Sequence, residues 1–186
     1  MKILSLLILI FIFGSCTRGE HADLPSERIV TFTSGESHIG YGVRLNGGDI
    51  MTATHVLADC KRWDCTFSGI TLSGILIVSS ADRSIIGNEK LDSTFLKQDI
   101  IQGDPVYILR FLSGGLKRYD TTVTNPNVSY IGIGNAYSGE ILSKGIEIGI
   151  SFEKGESGLP VWNSSGELIG VVSATNQASG KSYIVQ

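Results

Sequence analysis

No stretch of this 186-residue chain carries an apolar repeat of 3.6 residues, which argues against a fold built from amphipathic helices. A polybasic patch and an arginine-rich arm are also missing, so no nucleic-acid partner is expected. Internal repeats and low-complexity tracts are absent. Cysteine and histidine are scarce, at three each. A zinc centre would have to recruit His55 with Cys60 and Cys65, but no fourth ligand is evident and the spacing is not that of a zinc site, so no metal is expected.

The long apolar run is at the start. Lys2 precedes Ile3 to Phe13, interrupted by Ser5, and Gly14-Ser15-Cys16 follows. About eleven apolar residues are too few to span a bilayer, and the order of basic start, apolar stretch and small-residue exit is that of a secretion signal over residues 1–15. Gly-Ser-Cys resembles the lipobox of bacterial lipoproteins, which makes Cys16 the expected lipid attachment point; an ordinary cleaved signal is the alternative. Residues 16–27 are polar and aperiodic and read as a tether. Loss of residues 1–15 leaves 14 basic and 18 acidic residues. The chain is then expected in the bacterial cell envelope, held to the membrane by its N-terminal lipid. In such an oxidising compartment Cys60 and Cys65 suggest one local disulfide, with free thiols as the alternative.

From Arg28 onward, short runs rich in Val, Ile, Thr and Tyr alternate with Gly, Asn and Ser turns, and 23 glycines suit many tight turns. Strands are expected at residues 29–34, 40–46, 49–57, 69–80, 105–112, 145–152, 166–174 and 182–186. Asn46-Gly47-Gly48-Asp49 and Ser164-Ser165-Gly166 read as hairpin turns. The fold class is therefore all-β, a barrel or sandwich, with a break near Gln98 to Asp104.

Ser157 lies in Gly155-Glu156-Ser157-Gly158-Leu159-Pro160, while the same Gly-Glu-Ser tripeptide at residues 35–37 reads as a plain loop. A serine nucleophile needs a base. Among the three histidines, His21 falls in the tether and His38 in a polar turn, leaving His55 at the end of an expected strand. Together, Gly40-Tyr41-Gly42, Thr52-Ala53-Thr54-His55 and the Ser157 segment resemble the chymotrypsin-like (trypsin-fold) serine protease family, nearest its bacterial HtrA-type branch.

That resemblance implies two antiparallel six-stranded-type β-barrels, about 28–98 and 104–186, and a serine endopeptidase needing no cofactor and acting on a protein or peptide substrate. It implies His55 as base, Ser157 as nucleophile, and the N–H groups of Gly155 and Ser157 as oxyanion donors. The acid is expected between them in sequence: Asp92 heads LDSTFLK, which resembles the family's acid-bearing segment, and Asp82 is the runner-up, in a polar turn with no expected strand after it. Ser151 falls on the family's pocket base, implying a neutral residue before the cleaved bond, and Ser173-Ala174-Thr175 on the strand that pairs with substrate. Glu156 replaces an aspartate that in digestive members pairs with a freed N-terminus, which a lipidated Cys16 could not supply. Leu159 replaces the usual second glycine; crowding of the turn there would favour the alternative, an inactive protease-fold binding or inhibitory module.

Overall fold

In a computed structural model the chain is described over residues 25–46, 48–59, 65–67, 70–71, 76–80, 82–87, 99–133 and 140–186. The signal, Cys16, Cys60 and Asp92 lie outside these residues, so the expectations placed on them do too. No helix among the described residues is long and apolar enough to cross a membrane.

Two antiparallel sheets carry the fold. The first contains β1 (Ile29–Ser34), β2 (Ser37–Arg44), β3 (Ile50–Ala53), β4 (Cys65–Phe67), β5 (Ile70–Thr71), β6 (Leu76–Ser80) and β7 (Arg83–Gly87), in the order β5-β4-β1-β2-β3-β7-β6. The second is a closed barrel of β8 (Pro105–Leu112), β9 (Gly115–Ile133), β10 (Glu140–Ile148), β11 (Pro160–Asn163), β12 (Leu168–Asn176) and β13 (Lys181–Val185). Two antiparallel sheets of this kind are consistent with the trypsin-like two-barrel fold that the resemblance implies, the first having seven strands where six were expected.

Both strong turn signals act as hairpins. Leu45 N–H donates to the Asp49 carbonyl (2.7 Å) across the first, and Gly166, at φ +81°, donates to the Asn163 carbonyl (3.0 Å) in the second.

Several elements depart from the sequence reading, β4 and β7 among them, and two of these departures have a clear local cause. β9 runs for 19 residues through Asn125-Pro126-Asn127, a stretch with the composition of a loop. The barrel tolerates it because register shifts in β10 fall opposite, between Gly145 and Ile148, so the proline's missing N–H coincides with a bulge. The other departure is at His55, where the expected strand over 49–57 stops at Ala53 and a short helix α1 (Thr54–Asp59) begins. Helix starts leave N–H groups without intrahelical partners. Here residue 82 accepts them, Thr54 N–H on its carbonyl (2.8 Å) and His55 N–H on its carboxylate Oδ1 (3.1 Å).

The core has three parts. Phe32, Val30, Ile50 and Val56 pack together on the first sheet and α1, and Ile108, Ile146, Ile148 and Ile184 fill the barrel. A third cluster joins Val43, Met51 and Ile85 of the first sheet to Trp162, Val171 and Val185 of the barrel. That shared seam fixes one sheet against the other, and the candidate site is built across it.

Candidate active site

His55 projects from the first turn of α1, and its Nδ1–H faces the carboxylate of Asp82 at 3.0 Å (Oδ1) and 2.9 Å (Oδ2). Asp82 sits in the turn between β6 and β7 and is only 3% exposed. Its Oδ2 also accepts a short hydrogen bond from the Ser173 hydroxyl, which arrives from the barrel. β12 shifts register between Val172 and Ala174, and that irregularity lies at Ser173. With Nδ1–H engaged, neutral His55 presents Nε2 as a proton acceptor.

The carboxylate beside His55 is therefore Asp82, where the sequence reading placed Asp92. The polar turn at Asp82 is followed by a strand after all, since Ser84, Ile85 and Ile86 of β7 are buried beside β3. That pairing sets Ala53 opposite Arg83 and so brings the residue before β7 to the start of α1.

The turn carrying Ser157 is pinned to the first sheet by its backbone. Tyr41 N–H donates to the Ser157 carbonyl (2.8 Å), and a Cβ on Gly40 would lie 2.9 Å from that carbonyl and 2.8 Å from Val56, the neighbour of His55. Gly158, at φ +83°, packs so closely on the Tyr41 carbonyl that a Cβ there would collide with backbone. The decoy differs in kind, since Gly35 (φ +59°) has open space around it. Gly158→Ala is thus expected to cost on the order of 3 kcal/mol and Gly35→Ala about 1 kcal/mol in denaturant unfolding. Equal costs would mean that the Ser157 turn is not seated on β2.

Around Ser157 the amides divide into two groups. Glu156, Gly158 and Leu159 N–H donate to the carbonyls of Glu153 (3.1 Å), Val172 (2.7 Å) and Glu156 (3.2 Å). Gly155 and Ser157 N–H have no acceptor among the described residues. Gly155 adopts φ +93°, and its carbonyl accepts a hydrogen bond from His38 Nε2–H (2.8 Å). His38, which the sequence reading set aside as a loop residue, thus reaches the Ser157 turn from the start of β2. Among the described residues Ser157 Oγ and His55 Nε2 are not hydrogen-bonded to each other, an arrangement common in unliganded hydrolytic sites.

Leu159 does not crowd this turn. Its side chain is fully buried in the barrel core with Ile108, Val161 and Val172. Glu156 is bound by Arg110 of β8 in a two-pronged pair, Nε to Oε1 (2.7 Å) and Nη2 to Oε2 (2.5 Å), and Oε2 also accepts Glu153 N–H (2.7 Å). The hydrogen bonds to Glu156, above all other influences, hold the Arg110 guanidinium above its ordinary pKa, and burial, followed by the charge of Glu156, raises the Tyr41 phenol. Behind Ser173, burial pushes the Tyr130 phenol up to about 12, so it stays neutral across the physiological range.

Beside Ser157 opens a cavity of about 210 Å³, with Phe152 to Lys154 on one wall and Ser173 to Thr175 on the other. Ser151, expected at its base, is exposed and does not line it. Instead the Thr175 hydroxyl accepts Phe152 N–H (3.2 Å) and pairs with the Ser182 hydroxyl (2.8 Å), giving that wall a neutral polar lining. Among the described residues no three His, Cys, Asp or Glu side chains converge as metal ligands.

No protein-family model matches the sequence. Among solved structures, the chain is similar to the active form of the Rv3671c protease from M. tuberculosis (TM-score 0.65, 17% identity, covering 87% of this chain and 77% of that one). It is also similar to the apo MamO protease domain from Magnetospirillum magneticum (0.61, 16%, 87% and 92%). A third is the murine norovirus NS6 protease, an inactive cysteine-to-alanine mutant (0.62, 16%, 87% and 93%). At these identities the likeness establishes the fold. The neighbours include proteins that differ in nucleophile, so the chemistry has to be argued from the residues of this chain.

Proposed function

We propose that this protein is a serine endopeptidase that cleaves peptide bonds through an acyl-enzyme on Ser157. The observation that carries the reading is the His55–Asp82 pair set across the seam from a glycine-framed serine whose own N–H, with that of Gly155, has no acceptor among the described residues. Ser157 Oγ adds to the scissile carbonyl carbon while its proton passes to His55 Nε2. The oxyanion so formed is stabilised by the N–H groups of Gly155 and Ser157. Asp82 holds the imidazole tautomer and stabilises the imidazolium, which then protonates the leaving amine as the C–N bond breaks. Water, deprotonated by the same nitrogen, hydrolyses the ester and restores Ser157.

The neutral residue expected before the cleaved bond would lie against the Thr175 wall of the cavity beside Ser157, with Glu153 and Lys154 on the opposite wall. Export and lipid attachment through Cys16 belong to the same proposal and rest on Lys2, the apolar run Ile3 to Phe13 and Gly14-Ser15-Cys16. So does kinship with the HtrA-type branch, which rests on the Gly40-Tyr41-Gly42 and Thr52-Ala53-Thr54-His55 motifs. The inactive-module alternative had Leu159 as its main support, and that side chain is directed into the barrel.

A fluorophosphonate probe is expected to label the protein on one peptide, with the adduct on Ser157 when mapped by mass spectrometry. Absence of labelling, under conditions that label a control serine hydrolase, would sink the catalytic reading.

A further inference from the structure

We propose that Arg110 is the positioning residue of the oxyanion turn, and that it sets the turn from inside the barrel. The inference deepens the catalytic reading above and rests on Ser157 being the nucleophile.

Glu156 lies between the two residues whose amides would face the oxyanion. Its side chain takes three donors, two from the Arg110 fork and one from Glu153 N–H. Its own N–H and carbonyl are both committed as well, to Glu153 and Leu159. With side chain and backbone of Glu156 fixed together, the peptide planes on either side have little freedom left. Gly155 and Ser157 inherit their direction from it.

Arg110 is itself held firmly. It stands on β8 of the closed barrel, its guanidinium carbon 5.2 Å from the Tyr119 ring centroid and 5.5 Å from that of Phe152, which lines the cavity beside Ser157. Both partners of the pair are largely shielded from water, at 13% and 14% side-chain exposure, so this is not a solvated surface bridge of negligible effect. For stability alone an apolar pair of similar volume serves as well or better, because shielding two charges is costly. What an apolar pair cannot do is aim two neighbouring amides. A lysine would keep the charge and lose the fork, since one ammonium does not span both carboxylate oxygens.

The test uses the full chain and the double variant Arg110→Met/Glu156→Gln, which removes both charges and so leaves no orphan in the interior. The expected result is a thermal midpoint within a few degrees of wild type, kcat lowered about 100-fold as for a misaligned oxyanion donor, and KM nearly unchanged. Faster amide hydrogen exchange confined to residues 153–158 should accompany it. Arg110→Lys should fold normally and recover only part of kcat, which supplies the measurement if the double variant does not fold. A folded double variant, or Arg110→Lys, with wild-type kcat would overturn the proposal while leaving the catalytic reading intact. If wild type itself is not labelled on Ser157, the catalytic reading fails and this inference with it.

Discussion

Replacing Ser157 by Ala is expected to lower kcat by about 10⁶-fold while the thermal midpoint stays where it was. The two halves of that expectation have different physical origins. The hydroxyl has no hydrogen-bond partner among the described residues, and the contact that seats the turn on β2 runs through the residue's carbonyl. Alanine keeps that carbonyl and also keeps the N–H proposed to face the oxyanion. What disappears is the atom that would form the ester, so turnover falls to what binding and the two amides sustain. Steady-state kinetics on a peptide substrate, paired with thermal melting of the same samples, measures both. A variant that keeps turnover within tenfold would mean that Ser157 is not the nucleophile.

Asp82→Asn should cost about 10⁴-fold in kcat, whereas Asp92→Asn should leave it near wild type. Asparagine is nearly isosteric and its side-chain oxygen can still cap α1. Its amide nitrogen, however, can only donate. Donation to His55 Nδ1 drives the ring proton to Nε2, the nitrogen that must accept from Ser157. The pH profile should change along with the rate, because the imidazolium would lose its counter-charge. A larger loss from Asp92→Asn than from Asp82→Asn would show that the acid had been misassigned.

The sequence made most of the fold legible, because short β-branched runs between glycine turns are a strong local signal. β1 and β8 have the very bounds read from composition, residues 29–34 and 105–112. β9 was hidden since Asn125-Pro126-Asn127 is loop-like in every local respect and is strand only because the barrel closes around it. For the site, the glycines and proline around Ser157 and the Thr-Ala-x-His run mark positions where backbone geometry is demanding, and such positions can be read. Asp82 is different. An aspartate in a turn looks like any other until β3 and β7 are known to pair.

The same limit hid His38 and the Arg110–Glu156 pair, whose members are 46 residues apart. It also produced the concern about Leu159, since nothing local says which way a side chain after a glycine points. For Ser151, counting back from the nucleophile fixes a place along the chain, whereas the cavity beside Ser157 is lined by Thr175, which holds the Phe152 amide.

Asp82 belongs to the first sheet and receives Ser173 from the second, while Ser157 belongs to the second and is held by Tyr41 of the first. Each half of the chain therefore carries reactive groups that are inert until the other half arrives. On the catalytic reading proposed above, a nascent or partly folded molecule would have a serine without its base, or a base without its serine. It exposes its own cleavable backbone at the stage when it is unable to cut. On the proposed reading, the first species along the folding path able to hydrolyse a peptide would be the finished one.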